Sequence, residues 1–300
     1  MITESGEQIA VVANQIIRAR HRLDPTQQKI IAYGIGQIAR DDTTFDTVTL
    51  SVAEFARLTG AENNGRIYDH LEAVTKSLLR SIVEIRINDG DRRRVAFQWL
   101  SRCVYREGQG TVELRFHGEL KPYLLELKSR FTQIRLDQFF KFRSGYTIRF
   151  FERIEMMCGL GRMVFDLPLS ELRDWLGIEA DGYTKISAFR AYVLDVAQKE
   201  LDEKSDWSFS YLPMKTGRTI TGFEFTLRPA RTPKINPNRD RWKKASAELK
   251  AKVFAAARQR EGVSGWHLMT DTDIAKDSLF LQNLGILFDD VDKGQTALKF

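Results

Sequence analysis

The chain has 300 residues, with 46 Lys and Arg against 40 Asp and Glu, for a formal net charge of +6. Apolar residues make up 43% and charged residues 29%, close to the globular average, which excludes a wholly disordered or collagen-like chain. The pI near 9.2 points to an anionic partner, most often nucleic acid. The two cysteines, Cys103 and Cys158, exclude a disulfide scaffold and a four-cysteine zinc site. No run reaches the ~18–20 apolar residues of a membrane span, and Met1 to Gln8 is polar and acidic, unlike a signal peptide. The expectation is a cytoplasmic protein with no membrane partner.

Asp24-Pro25-Thr26-Gln27 reads as a helix start. Asp24 can accept from free N–H groups, Pro25 suits the first helical position and Gln27 can close a capping box. Ile30, Ile31, Ile35 and Ile38 then supply an apolar face. Ser51 to Glu54 is a second capping box, opening a short helix through Phe55 and Leu58 that Gly60 stops. A longer helix over 67–80 aligns Leu71, Val74 and Leu78. Residues 82–87 alternate like a strand, 88–91 are turn chemistry, 95–99 return as a partner strand, and 111–116 form a third. Helix, short helix, long helix and hairpin is the winged-helix order.

The same order recurs. Ser144 can cap a helix carrying Ile148, Phe151 and Ile154. Leu167-Pro168 opens a short helix with Leu172 and Trp175, stopped at Gly177. A long helix over 183–201 buries Ile186, Phe189, Val193, Ala197 and Leu201. A hairpin follows, with strands over 207–212 and 220–227 and a turn at 215–218. Leu50, Glu54, Phe55 and Gly60 overlay Leu167, Glu171, Leu172 and Gly177 at a constant offset of 117. The expected fold is α+β and helix-rich, with two winged-helix domains in pseudo-repeat over 1–130 and 131–230. A helical extension over 231–300 has no assigned role. Residues 229–238 carry three prolines and read as a linker, and a helix is expected over 238–261. Residues 234–262 hold nine basic and three acidic groups, whereas 263–300 hold three basic and six acidic. Residues 234–262 therefore carry a charge equal to that of the whole chain, and the winged-helix pair is only mildly basic.

Enzyme signatures are missing. There is no G-x-x-x-x-G-K-[ST] loop and no G-x-S-x-G elbow. Gly34-Ile35-Gly36 and Gly159-Leu160-Gly161 sit on or at the end of helices, without the strand a phosphate loop needs, and read as packing or helix-end glycines. His21, His70, His117 and His267 are scattered and form no metal-binding cluster. Phe139, Phe140, Phe142, Phe150 and Phe151 read as core between helices rather than as a base-stacking platform. No catalytic residue, cofactor or metal is expected.

The basic residues carry the functional signal. Thr184, Lys185, Ser187 and Arg190 lie off the apolar face of the second long helix near its start, where a recognition helix meets base edges. Lys215 and Arg218 sit at the hairpin tip, suited to phosphate contact. In the first copy Arg92, Arg93 and Arg94 occupy what reads as the analogous tip, and Lys76 and Arg80 project from the long helix. Arg149 lies at the start of the second copy. For each of these the plainer reading is a solvated charge.

These residues resemble the initiator (Rep) proteins of iteron-containing plasmids, over about residues 9–228. Asn14-Gln15-Ile16-Ile17 with Leu23, Thr26, Gln28, Lys29 and Ile30 is similar to that family's opening motif. Tyr123 to Leu127 with Phe131-Thr132 resembles its central segment, and Ser144-Gly145-Tyr146-Thr147-Ile148-Arg149-Phe150-Phe151-Glu152 is the sharpest match. Phe189-Arg190, Val193-Leu194, Ala197 and Glu200-Leu201 resemble its recognition helix, and Gly217-Arg218 with Ile220, Phe223 and Phe225 its wing. The chain departs from the family at Asp195-Val196, where a proline is common, and at Leu201-Asp202. The resemblance implies binding of double-stranded DNA at directly repeated origin sites, with origin opening by monomers and repression of its own promoter by dimers. It implies the host initiator, helicase and chaperones as partners, and no catalytic residues. A tandem winged-helix transcriptional regulator and a nicking or primase-type enzyme are the alternatives.

Overall fold

The computed structural model describes residues 8–38, 42, 44, 47–61, 65–88, 92–106, 108–125, 127, 130–230 and 246–259. Residues 1–232 form one compact unit and 233–300 a second. The turn expected at 89–91, most of the linker and the acidic tail lie outside the described residues. Of the last expected helix, Ala247–Gln259 is described.

The first copy runs through β1 (Ile9–Ala13), α1 (Asn14–Arg18), β2 (Arg20–His21), α2 (Pro25–Gly36), β3 (Val48–Ser51), α3 (Val52–Thr59), α4 (Gly65–Leu78), β4 (Ile82–Asn88), β5 (Arg92–Gln98), β6 (Leu100–Arg106) and β7 (Thr111–Phe116). Next come α5 (Lys121–Leu124), β8 (Phe131–Arg135) and α6 (Leu136–Phe139). The second copy has α7 (Gly145–Gly159), β9 (Val164–Pro168), α8 (Leu169–Trp175) and α9 (Ile186–Phe189). A π turn over Arg190–Leu194 leads into α10 (Asp195–Lys204), followed by β10 (Trp207–Thr216) and β11 (Thr219–Pro229).

Local chemistry explains the helix ends. The Gln27 amide donates to Asp24 and the Asp24 amide to the Gln27 side chain, each at 2.9 Å, so the capping box is complete. At Ser51 only half of the box forms. Its hydroxyl accepts from the Glu54 amide at 3.3 Å, while the Glu54 carboxylate accepts from the Tyr33 hydroxyl at 2.6 Å. Gly60 and Gly177 end α3 and α8 with φ of 68° and 65°, the left-handed stop that glycine adopts without steric cost. Gly34 and Gly36 are packing glycines: a Cβ on Gly36 would lie 2.7 Å from Leu136 Cδ1. All five phenylalanines from Phe139 to Phe151 are buried.

Sheet pairing corrects one sequence expectation. In the second copy the strand between the first two helices, β9, pairs with the last hairpin strand, β11, and the sheet order is β10-β11-β9. In the first copy β3 pairs with β7 and the order is β6-β7-β3. The first wing is therefore β6–β7. The β4–β5 hairpin, expected to be that wing, joins β2 in a separate sheet. The short β3 has too little periodicity to announce which hairpin closes on it.

Long-range bonds join the copies. β8 pairs antiparallel with β1, from Ile9 opposite Arg135 to Ala13 opposite Phe131. The Trp175 indole N–H donates to the Ile17 carbonyl at 2.7 Å. Arg149, expected on a DNA-facing surface, is instead buried at 3% exposure. Its guanidinium donates to the carbonyls of Ile17 (3.1 Å) and Ala19 (2.7 Å) and pairs with Glu152 at 2.9 Å. Outside this core, Asp174 of α8 pairs with Arg20 at 3.4 Å and Arg86 at 2.6 Å. The β2–β4–β5 sheet is thus tied to the second copy.

Lys29 of α2 is buried, and burial pushes its ammonium down to about 8, opposed by Glu200 and reinforced by Lys204 and Arg143. A lysine at its ordinary value of 10.5 in the unfolded chain binds more protons than the native one between those two values. Stability from this group therefore rises with pH across that window, and the penalty is fully present below it. Lys29→Met should raise the denaturant midpoint at pH 7, with the advantage over wild type shrinking as pH climbs past 8 towards 10.5. An equal advantage at pH 7 and pH 10 would contradict the assignment.

Candidate nucleic-acid interface

The second winged helix gathers its basic residues through a structured turn. Arg173 of α8 donates to the carbonyls of Glu179 (2.9 Å) and Tyr183 (3.3 Å), and also to that of Gly182. Tyr183 takes a left-handed φ of 47°, a conformation a bulky residue adopts only when its surroundings impose it. The long helix of the second copy consequently starts at Ile186 and not at Tyr183. Thr184 lies in the turn and Lys185 at the N-cap position. Both are exposed, as are Ser187 and Arg190 on the helix itself, while Phe189, Val193, Ala197 and Leu201 are buried beneath them. Arg173 had no signal in the sequence beyond its charge.

The wing stands beside this helix. The Gln198 amide donates to the Phe209 carbonyl at 2.7 Å. Arg190 Nε donates to the Tyr211 hydroxyl at 3.3 Å, and the guanidinium lies 5.5 Å from the Tyr211 ring centroid. Tyr211 donates in turn to Asp195 at 2.6 Å. At the tip, Gly217 turns with φ 61°, and Lys215 and Arg218 are exposed. Among the described residues neither has an ion-pair partner. Tyr192 and Leu212, 64% and 66% exposed, add apolar surface on the helix and the wing. An exposed helix start, a cationic tip and uncovered apolar side chains on one module can meet both the edges and the backbone of a duplex.

The first copy is less concentrated. Lys76 is exposed but bonded to Glu72 and set 5.4 Å from the Tyr105 ring centroid. Arg80 is exposed just past α4. Arg93 and Arg94 are exposed on β5, with Arg94 at 3.6 Å from Glu84, and the Arg92 backbone pairs with Asn88. These three arginines therefore belong to the hairpin held against α8 by Arg86. They do not occupy a wing. The first wing instead presents Arg102 and Arg115, exposed register partners on β6 and β7, which the sequence reading passed over. Among the described residues no group of His, Cys, Asp and Glu could hold a metal ion, and no helix is long and apolar enough to cross a membrane.

The family model described as "Initiator Replication protein, WH1" matches residues 9–155, and that described as "Initiator Rep protein, WH2" matches 168–227. The chain belongs to the Rep initiator family. Its two winged helices are the WH1 and WH2 domains of that family, as the resemblance implied. This Rep protein is similar to the Pi initiator protein, whose crystal structure is in complex with iteron DNA. The two are 17% identical, with a TM-score of 0.62, covering 75% of this chain and 98% of that one. Weaker likenesses extend to the WH1 domain of MSBI1.176, a replication protein isolated from a multiple sclerosis patient (19% identity, 34% of this chain and 79% of that one, TM-score 0.29). Domains 2 and 3 of RctB also align (13% identity, 77% and 90%, TM-score 0.40). Lys185, Arg190, Lys215 and Arg218 all fall within the WH2 match.

Proposed function

We propose that this Rep protein binds the directly repeated sites of a plasmid origin as double-stranded DNA, opens the neighbouring duplex and, as a dimer, represses its own promoter. The observation that carries the reading is the exposed set Lys185, at the N-cap of the WH2 helix, with Ser187 and Arg190 on it, beside the Lys215–Arg218 tip. It is supported by the likeness to the Pi initiator, a protein whose structure holds iteron DNA. Lys185 and Arg190 read one major groove, and Lys215 and Arg218 hold the backbone. Thr184 and Ser187 add hydroxyls to the same face, and Lys76, Arg80 and the arginines of β5 add charge from WH1. Clustered copies strain adjacent A·T-rich DNA because bending and unstacking are offset by the contacts they permit. We take 1–130, 131–230 and 231–300 as the working divisions of a cytoplasmic, non-catalytic bacterial protein. Its further partners would be the host initiator, helicase and chaperones.

The test is titration of labelled duplexes carrying the repeats that adjoin the gene, against random duplex, at several salt concentrations. Arg190→Ala should weaken binding to the repeat by about 1–3 kcal/mol and leave random duplex almost untouched. Lys215→Ala should weaken both equally and flatten the salt slope by about one unit. Equal wild-type affinity for repeat and random duplex would overturn the proposal. Preference for an isolated palindrome over direct repeats would favour a transcriptional regulator, and metal-dependent nicking by the purified protein an enzyme.

A further inference from the structure

Arg190 is not a loose surface arginine. Its Nε–H is taken up by Tyr211, whose hydroxyl is committed to Asp195. The direction of each bond is fixed, because a guanidinium only donates, an ionised carboxylate only accepts and a phenol does both. Using Nε leaves the N–H groups of both terminal nitrogens available. Those groups form the fork that matches the O6 and N7 of guanine.

The backbone is built for this arrangement. In a regular α-helix residues 190 and 195 would point about 140° apart around the axis and could not share one partner. Here the Asp195 amide donates to the Arg190 carbonyl, closing a π turn over Arg190–Leu194. That turn sets i and i+5 on one side of the helix. The Tyr211 ring is held in turn by an edge contact with Phe223, centroids 5.5 Å apart. Burial and the bond to Asp195 push the Tyr211 hydroxyl up from its ordinary value, so it stays a donor. Asp195 is an exposed carboxylate on a helix that would face phosphates, where a negative charge costs affinity unless it does something else.

We infer that Asp195 and Tyr211 are positioning residues that aim the guanidinium of Arg190 at one guanine of the recognised site, and so set sequence specificity. This rests on the double-stranded DNA reading above.

The experiment uses the full chain and duplexes carrying the origin repeat, a random sequence, or the repeat with single guanines replaced by 7-deazaguanine, which lacks the N7 acceptor. Tyr211→Phe keeps the ring and changes no charge. It should lower the ratio of repeat to random affinity by about five- to tenfold, as expected when a bidentate reader loses its orientation. Thermal midpoint and random-duplex affinity should stay within about twofold or a degree or two of wild type. One 7-deazaguanine position that penalises wild type should lose its penalty in Arg190→Ala and most of it in Tyr211→Phe and Asp195→Asn. A wild type that does not distinguish repeat from random duplex would sink the functional reading itself. A wild type that discriminates, with the 7-deazaguanine penalty intact in Tyr211→Phe, would overturn the positioning role alone. So would a Tyr211→Phe loss shared equally by both duplexes, which marks a structural residue.

Discussion

Arg149→Met should lower the unfolding free energy by about 3–5 kcal/mol, the usual cost of removing one partner from a buried ion pair. The side chain is 3% exposed. Burial pulls its guanidinium below the ordinary arginine value and pushes the Glu152 carboxyl up, with each partner opposing the shift of the other. Methionine matches the stem but supplies no donor. Glu152, itself half-buried, is then left without its cation, and the Ala19 carbonyl loses the guanidinium that served it at 2.7 Å. The Ile17 carbonyl keeps its bond from Trp175, so the damage centres on the charge. Urea unfolding of the full chain at pH 7 measures the loss. The deficit should shrink as pH falls, because the stranded Glu152 has a native pKa above its unfolded value and folding then gains from protonation. Arg149→Met combined with Glu152→Leu should recover much of the loss, since an apolar pair leaves no uncompensated charge. A single-variant cost below about 1 kcal/mol, the scale of an exposed pair, would show that the cluster is not a buried keystone.

This residue also shows where sequence reading stops. The segment Ser144 to Glu152 was the sharpest family resemblance, and the structure explains it as architecture. Ser144 caps α7 by accepting from the Thr147 amide, and the buried Arg149 pairs with the half-buried Glu152. Arg149 was assigned to DNA because charged residues are usually exposed, and the carbonyls that bury it belong to Ile17 and Ala19, some 130 residues away. The Asp24 box and the Gly60–Gly177 offset were legible because capping and left-handed stops are written within a few residues. The first wing was not, because its identity depends on β3 pairing with β7 across 60 residues. At the candidate site, the exposure of Ser187 and Arg190 followed from helical periodicity, and that of Lys215 and Arg218 from the turn chemistry of 215–218. The turn that places Thr184 and Lys185 outside the helix did not, since it depends on Arg173 side-chain bonds and the backbone of Tyr183. Tyr211 and Asp195 were also missed, because a π turn leaves no periodic trace in so short a stretch.

The repeat offers a paired test of how the two winged helices press on each other. Gly60→Ala and Gly177→Ala place the same side chain on nearly the same backbone, φ 68° and 65°. At Gly60 nothing lies within 4 Å of the added Cβ, so the cost is the left-handed conformation alone, about 1–2 kcal/mol. At Gly177 the Cβ would meet the His21 carbonyl oxygen at 2.5 Å and its carbon at 3.1 Å. Backbone cannot swing aside as a side-chain tip does, so β2 must move, adding about 1–3 kcal/mol of overpacking. Gly177→Ala should therefore cost about 2–5 kcal/mol in total, clearly more than its counterpart. The excess should appear locally. His21 is a register partner of Val83, and Arg20 beside it pairs with Asp174, so displacing β2 loosens both the β2–β4 ladder and the ion pair to α8. Hydrogen exchange should quicken at β2 and β4 amides in Gly177→Ala and stay at wild-type rates there in Gly60→Ala. Equal unfolding costs for the two variants would mean that the close approach of β2 to the end of α8 is not held in solution. An excess confined to Gly177 makes that glycine a requirement of the joint between the copies, over and above the helix stop that both copies share.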